Sequence, residues 1–218
     1  MTKIRPAPGG GRIVEVEPER LPRWVERFAE RNGGIAAHHA EGDAWTIESN
    51  DGTAASVRWA LAAGIPAEWL LTGEPDEVAG RLREYALEPR RLGVLLARKG
   101  AYSVGIVVDG RIEASKTDTA YVQGKTKAGG QSQQRFARRR EGQAKAAGKR
   151  AVEASAAVLA DADLDAVVTG GVVDAILEDP RLKHLTPAVH IGDITEPRQH
   201  LLREIAYRAV SFEIHLPD

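Results

Sequence analysis

Two apolar segments in the middle of the chain constrain its fold more than any other feature. Leu92 to Ala97 and Tyr102 to Val108 are almost continuously apolar and are separated by a short polar turn. The dipeptide Asp109-Gly110 follows, a strong hairpin signal that introduces a third segment, Arg111 to Thr117. The pattern predicts three antiparallel strands in a meander, with the first two buried in the core of a domain.

Helical and strand patterns alternate after this meander. A long helix, for which Ser132 is a good N-cap, is predicted to reach about Leu159, with Phe136 and several alanines along one face. The further predicted elements are helices at about 172–177 and 197–209 and strands at 166–169, 188–191 and 210–216. Three hairpin strands followed by this alternation predict an α/β fold, in which helices pack on a mixed sheet.

The pattern of residues 1–88 predicts a smaller N-terminal α/β region of unclear role. A loose lead-in over residues 1–11 precedes a strand at 12–16, a helix from Pro18 to about Asn32, a hairpin at 35–39 and 44–49, and a helix from Pro75. Residues 54–61 fit either a strand or a helix. The four tryptophans of this region are expected in its core. Pro89 breaks the second helix inside a polar stretch, so we place a domain boundary there, between domains 1–88 and 89–218.

Positive charge is gathered in one segment, Gly124 to Arg150. This segment holds nine cationic side chains and only one anionic one, Glu141, which gives it a charge of +8. Because the whole chain has a net charge of −1, the other residues together carry −9. Such asymmetry points to a polyanionic partner at this place, whereas most short runs of charge are only solvated helix faces.

The tripeptide Gly129-Gly130-Gln131 lies in the same segment. Two adjacent glycines have no Cβ, so their backbone can reach positive φ and approach another surface closely. The amide of Gln131 donates and accepts hydrogen bonds but has no titratable proton, so it cannot act as a general base or a nucleophile. It can orient a water molecule or donate to an oxyanion inside a site that another molecule builds.

The tripeptide and the helix that follows resemble the GGQ loop of the eukaryotic and archaeal class-one translation release factors. The resemblance rests on Gly129-Gly130-Gln131-Ser132, on Arg135-Phe136-Ala137-Arg138 and on Arg140, and it covers residues 121–155. In that family the tip enters the peptidyl-transferase centre, where its glutamine coordinates the water that attacks the ester of peptidyl-tRNA. The resemblance implies a ribonuclease-H-like mixed-sheet core for this chain, like the middle domain of those factors.

The chain also departs from stop-codon factors. It is too short to hold a decoding domain as well as a domain for a GTPase partner, and residues 1–88 contain no decoding motif that we recognise. The architecture is similar to that of the release-factor-like peptidyl-tRNA hydrolases of ribosome quality control, and a compact bacterial relative is the expected class. The ATPase-binding tail of the eukaryotic member is not expected here, since the sequence ends at Asp218 soon after the last predicted strand.

The resemblance therefore implies an enzyme that releases nascent chains from stalled ribosomes or large subunits without a codon. Gln131, Gly129 and Gly130 are the candidate catalytic residues. The candidate RNA-binding residues are Lys125, Lys127, Arg135, Arg138, Arg139, Arg140, Lys145 and Lys149. The expected partners are the large ribosomal subunit and peptidyl-tRNA, with no cofactor and no metal. We also expect a monomer. A cytoplasmic location is expected because the chain has no cysteine, no signal peptide and no apolar run long enough to span a membrane.

Other functions remain open at this stage. The principal alternative is a non-catalytic ribosome-binding or recruitment factor that uses the basic helix only for docking. A free peptidyl-tRNA hydrolase acting off the ribosome is a weaker alternative, because a lone glutamine without a protein-built base should be nearly inert there. A nuclease is disfavoured, since no carboxylate lies inside the two apolar strands to hold a pair of metal ions. The six histidines show no ligand spacing.

Overall fold

The computed structural model describes residues 3–61, 72–98, 100–119 and 131–217, and for residues 131–137, 139 and 140 it describes the backbone alone. The chain divides into two compact units. The first comprises Met1–Glu88 together with Tyr207–Asp218, and the second comprises Pro89–Ala206. Both units are mixtures of helices and strands, so the α/β class predicted from the sequence is confirmed.

The first unit is built on a six-stranded antiparallel sheet. Its strands are β1 (Lys3–Pro6), β2 (Arg12–Val16), β3 (Ile35–Glu41), β4 (Ala44–Ser49), β5 (Ala54–Trp59) and β11 (Phe212–Leu216). The spatial order is β1-β2-β11-β5-β4-β3, and every neighbouring pair is antiparallel. The predicted β3–β4 hairpin is confirmed, and the open choice for residues 54–61 is resolved in favour of a strand.

Two helices of this unit form where the sequence provides apolar stripes and end signals. Helix α1 (Leu21–Arg31) buries Leu21, Val25 and Phe28 on one face, and the Asn32 side chain donates to the carbonyl of Phe28 at its end. Helix α2 (Pro75–Leu87) begins with a proline in its first turn and a capping box formed by Glu74 and Glu77. Both helices were predicted.

The tryptophans of the first unit serve its core, as expected, where the structure describes them. Trp45 and Trp59 are buried, and the indole N–H of Trp59 donates to the carbonyl of Val210 at 2.9 Å. Trp24 is half-buried and stacks on Phe28 with ring centroids 5.4 Å apart. The prediction for Trp69 lies outside the described residues.

Two expectations for the ends of the chain are corrected. Residues 1–11 were expected to be a loose lead-in, but β1 pairs with β2 at the edge of the sheet. The last strand was expected in the sheet of residues 89–218, but β11 lies between β2 and β5 in the first unit. The pairing of β11 joins residues about 150 to 200 positions apart, so the local sequence pattern carries no signal for it. The β1–β2 pairing is local, but β1 is fully exposed and has no apolar alternation that would indicate a strand.

Because β11 is a central strand of this sheet, truncating its largest buried side chain should destabilise the first unit. Phe212 is 1% exposed and lies between Val16 and Trp59 in register. We predict that Phe212→Ala lowers the free energy of unfolding by about 3–5 kcal/mol, measured by urea denaturation. Glu213→Ala is the control, because the side chain of Glu213 forms a solvent-exposed ion pair with Arg5, and its loss should cost less than about 1 kcal/mol. Equally small effects would contradict the placement of β11.

The second unit is built on a five-stranded mixed sheet. Its strands are β6 (Arg91–Arg98), β7 (Ala101–Val108), β8 (Arg111–Thr119), β9 (Ala166–Gly171) and β10 (Pro187–Ile191). The order is β10-β9-β6-β7-β8, in which β6, β7 and β8 form an antiparallel meander while β9 and β10 run parallel to β6. The predicted meander and the strands that follow it are confirmed.

Helices cover both faces of this sheet. Helix α3 (Gln131–Leu159) and the short helix α4 (Asp174–Leu177) lie on the face that carries the alternate side chains Tyr102, Val104 and Ile106. Helix α5 (Gln199–Ala209) lies on the opposite face, where a Cβ on Gly105 would be 2.8 Å from Leu202 Cδ1. The same Cβ would be 2.8 Å from the carbonyl oxygen of Ala114 on β8, and this backbone atom cannot move aside as a leucine methyl can, so the position favours glycine. No helix among the described residues is long and apolar enough to cross a bilayer.

Candidate nucleic-acid interface

Helix α3 carries most of the candidate functional residues, and it is much longer than the sheet requires. It has 29 residues, which correspond to a length of about 43 Å. Gln131 is its first residue. It is also the first residue that the structure describes after position 119, and the predicted N-cap, Ser132, directly follows it.

The second half of α3 is anchored on the sheet by small side chains. Ala147, Ala151, Ala154 and Leu159 are buried, and the last three belong to the core cluster that includes Val104 of β7. The spacings of four and three residues from Ala147 to Ala151 and Ala154 keep these alanines on one face of the helix. Alanine side chains add little bulk, so the helix can pack closely on the apolar strands.

Charged side chains stabilise the same half at its margins. The guanidinium of Arg150 donates to the carboxylate of Asp118 at the end of β8, at 3.0 Å. Arg181 makes two hydrogen bonds of 3.0 Å to the carboxylate of Glu153 and a further one of 2.8 Å to Asp179. These contacts connect α3 to the edge strand and to the segment that follows α4.

The first half of α3 extends beyond this anchored region. Arg138 and Lys145 are exposed, and between them the described side chains are exposed or half-buried. Among the side chains of α3 that the structure describes, Ala147 is the first that is buried, and it lies 16 positions after Gln131. At 1.5 Å per residue, Gln131 is about 24 Å from Ala147 along the helix axis.

Charge follows the same division of the helix. Residues 131–146 contain five arginine and lysine side chains and one glutamate, so they carry +4, whereas residues 147–159 carry +1. Within the second half, Arg150 is already paired with Asp118. The unanchored half therefore holds most of the positive potential of α3, and the partial positive charge of the helix N-terminus adds to it.

The structure locates the candidate residues to different extents. Gln131, Arg135, Arg139 and Arg140 lie on the backbone of α3. The side chains described as exposed are those of Arg138, Lys145 and Lys149. Gly129, Gly130, Lys125 and Lys127 lie outside the described residues, as does the expected burial of the Phe136 side chain. The candidate residues of the first half thus share one helix end, and Lys149 lies on the anchored half.

Three polar residues of the types that bind metals or act in catalysis have structural roles here. Asp165 accepts a hydrogen bond of 2.6 Å from the backbone N–H of Arg91, and His38 accepts one of 3.2 Å from the indole N–H of Trp45. His190 Nδ1 lies 3.0 Å from the hydroxyl oxygen of Thr169. Among the described residues, no three His, Asp or Glu side chains are placed to hold a metal ion.

Sequence reasoning missed the network formed by Glu153, Arg181 and Asp179. Its members are 28 positions apart at the widest, so only the packing of α3 beside the segment after α4 brings them together. Hydrogen bonds from Arg181 lower the pKa of both carboxyl groups, and the charge of the guanidinium acts in the same direction. In the sequence, the only sign of this network is Glu153, a charged residue among the alanines of α3.

This network should make the anchoring of α3 sensitive to acid. A carboxyl group whose pKa is lower in the folded state stabilises the fold above its unfolded pKa, and the contribution is lost as the pH falls through the folded pKa. We predict that Arg181→Gln lowers stability at neutral pH and makes the loss of stability between about pH 5 and pH 2 less steep. The measurement is urea denaturation at a series of pH values.

Arg198→Gln is the matched control for this prediction. Arg198 forms an exposed ion pair with Glu196, two positions away in sequence. Its replacement removes the same charge without touching α3 and should leave the slope unchanged. Parallel pH profiles for the Arg181 variant and the wild type would contradict the assignment.

Comparison with known proteins gives a family match. The family model described as "Actinobacteria/chloroflexi VLRF1 release factor" matches residues 90–215, more than half of the chain. No curated protein matches. A search of solved structures finds Pelota of Archaeoglobus fulgidus, with 11% sequence identity and a TM-score of 0.27. The match covers 95% of this chain and 66% of that protein.

Proposed function

The chain belongs to the Actinobacteria/chloroflexi VLRF1 release factor family, and on that premise we propose that it hydrolyses the ester of peptidyl-tRNA on stalled ribosomes or large subunits without a codon. The observation that carries this proposal is the position of Gln131, at the unanchored end of a cationic helix whose other end is fixed to the sheet. Such a helix can deliver a neutral amide into a cavity lined by nucleic acid.

The reaction is the addition of water to an ester. The water oxygen forms a bond to the ester carbonyl carbon, the bond from that carbon to the ribose oxygen breaks, and one proton of the water passes to the ribose oxygen. The products are a free peptide and a tRNA with a free hydroxyl group. Gln131 would hold the water in position through its amide, while the ribosome would supply groups that accept and donate protons.

Electrostatics favour the approach of this helix to RNA. The first half of α3 carries +4, and its N-terminal N–H groups add partial positive charge. Exposed cations such as Arg138 and Lys145 can neutralise phosphates. Arg135, Arg139, Arg140, Lys125, Lys127 and Lys149 are proposed to act with them.

The fold of the second unit supports the same proposal. We infer that it is a ribonuclease-H-like core of the kind found in the middle domain of class-one release factors. The strand order β10-β9-β6-β7-β8, with a meander at one edge and two parallel strands at the other, is consistent with that class. In this arrangement the sheet serves as the base that holds α3, and the chemistry belongs to the helix tip.

Replacement of Gln131 provides the direct test. We predict that Gln131→Ala reduces release of peptide from stalled ribosomes and large subunits by about 100-fold or more, because the attacking water loses its positioning. Affinity for the ribosome should be unchanged. The assay measures peptide released over time by wild type and variant at equal occupancy.

Gln143→Ala is the control, because it removes the same amide from the same helix 12 positions farther on. It should release peptide at the wild-type rate. Full activity of Gln131→Ala would exclude this mechanism. Binding by the wild type with no release above the buffer value would favour the alternative, a docking or recruitment factor without catalysis.

A second prediction concerns the continuity of α3. Gly142 lies between the candidate residues of the first half and the buried Ala147, and a Cβ at this glycine would meet nothing within 4 Å. Gly142→Pro should break the helix there and uncouple the tip from its anchor, so that release falls while the sheet stays folded. The measurements are the release rate and thermal unfolding of the purified protein.

Gly142→Ala is the matched control for the proline variant. Alanine at this exposed helical position should raise stability by about 0.5–1 kcal/mol and preserve release. Equal release by the proline and alanine variants would show that the rigid connection between tip and anchor has no role.

A further inference from the structure

A groove lies on the second unit, far from the tip of α3. It has a volume of about 410 Å³ and is lined by the β7–β8 turn and by the first residues of α5. The lining residues are Gly110, Arg111, Ile112, Gln199, His200 and Arg203. None of the candidate RNA-binding residues of the sequence belongs to it.

The two arginines of the groove differ from four other arginines of the second unit in their lack of an ion pair among the described residues. Arg91, Arg150, Arg181 and Arg198 each form an ion pair with a carboxylate. Arg111 and Arg203 are both exposed, and within the described part of the chain neither forms an ion pair. Two positive charges that the fold does not neutralise are thus brought to one concave surface.

Carboxylates near the groove do not compensate these charges. Glu113 is engaged by Arg91, and Glu204 directly follows Arg203 on α5, where adjacent residues point in different directions. Asp109 is exposed on the same turn, but no ion pair joins it to either arginine among the described residues. The groove therefore favours an anion.

Neutral hydrogen-bond donors complete the lining. The amide nitrogen of Gln199 donates to the hydroxyl of Ser115 on β8 at 2.9 Å, which fixes the orientation of this side chain at the groove. His200 is exposed beside it. Two guanidinium groups together with amide and imidazole donors match the multiple oxygen acceptors of phosphates.

We propose that this groove binds the phosphodiester backbone of RNA as a second contact, separate from the tip of α3. The inference rests on the proposed function for the choice of RNA over other polyanions. A groove this open has no enclosed pocket for a single small ligand, whereas a polymer can run across it and place phosphates at both arginines.

The groove and the tip lie at opposite ends of the second unit. Arg150 of α3 contacts Asp118 near the end of β8, and Gln131 begins the helix 19 residues earlier, about 28 Å away along its axis. Arg111 is at the other end of β8, about 24 Å from Asp118 along the strand. A single nucleotide cannot reach both places, but an extended RNA surface can.

Two separated contacts would orient the protein as well as hold it. The tip alone would fix one end of α3 and leave rotation about that end free. A second phosphate contact on α5 and the β7–β8 turn, on the opposite face of the sheet from α3, would remove that freedom and aim the helix.

The test measures the affinity of the full-length protein for purified large ribosomal subunits at a series of salt concentrations. The double variant R111Q/R203Q removes both charges, and R27Q/R31Q is the control that removes two exposed charges from α1. Loss of two phosphate contacts should weaken binding about 25- to 60-fold at about 0.1 M salt and reduce the slope of log affinity against log salt by about 1.4–1.8. R111K/R203K should retain most of the affinity.

The outcomes separate this proposal from the proposed function. At saturating protein, R111Q/R203Q should still release peptide, since Gln131 is unchanged, but more slowly than the wild type, since the second contact no longer aims α3. If the wild type releases no peptide but the groove variant still binds more weakly than its control, the proposed reaction fails and the groove remains an RNA contact. If R111Q/R203Q and R27Q/R31Q bind the large subunit with equal affinity at every salt concentration, the proposal that the groove binds RNA is wrong. Stronger competition by polyglutamate than by polyuridylate would overturn RNA as the ligand and assign the groove to an acidic protein.

Discussion

The packing of the alanine face of α3 against β7 is the contact on which the candidate site depends. Ala151 and Ala154 let the helix lie close to the sheet, and Leu159 fills the space beside Gly93 of β6, where a Cβ would lie 3.2 Å from its side chain. Among the described side chains of α3, burial begins at Ala147, and the exposed ones before it, such as Arg138 and Lys145, are connected to the sheet through the helix itself. Loss of this packing would leave the tip without a defined direction.

The distribution of charge follows from that arrangement. Ion pairs on the anchored half, such as those of Arg150 and Glu153, join α3 to neighbouring segments. The first half carries +4 in water, where exposed charges cost little and can attract a polyanion over a distance of about a Debye length. The ion pairs of the second half join the helix to neighbouring segments, whereas the excess charge of the first half can attract a polyanionic partner.

Local patterns predicted most of the elements, and the two strands that were missed or misplaced, β1 and β11, have different physical reasons. The continuous apolar run of β6 and β7 and the Asp109-Gly110 turn were sufficient for the meander, because both signals lie within about 20 residues. Strand β1 is short and fully exposed, so it has no apolar alternation to detect. Strand β11 was recognised as a strand but not placed, since its partners β2 and β5 lie at the other end of the chain.

The sequence by itself determined the class of fold, the concentration of charge between Gly124 and Arg150, and the choice of Gln131 as the candidate reactive residue. These properties are local, because composition, periodicity and a short motif are complete within a few tens of residues. Only the tertiary structure decided where α3 is anchored, that Arg181 joins Glu153 to Asp179, and that Arg111 and Arg203 share one groove. Each of these depends on side chains from separate elements meeting in space, and their separation in sequence leaves no periodic signal.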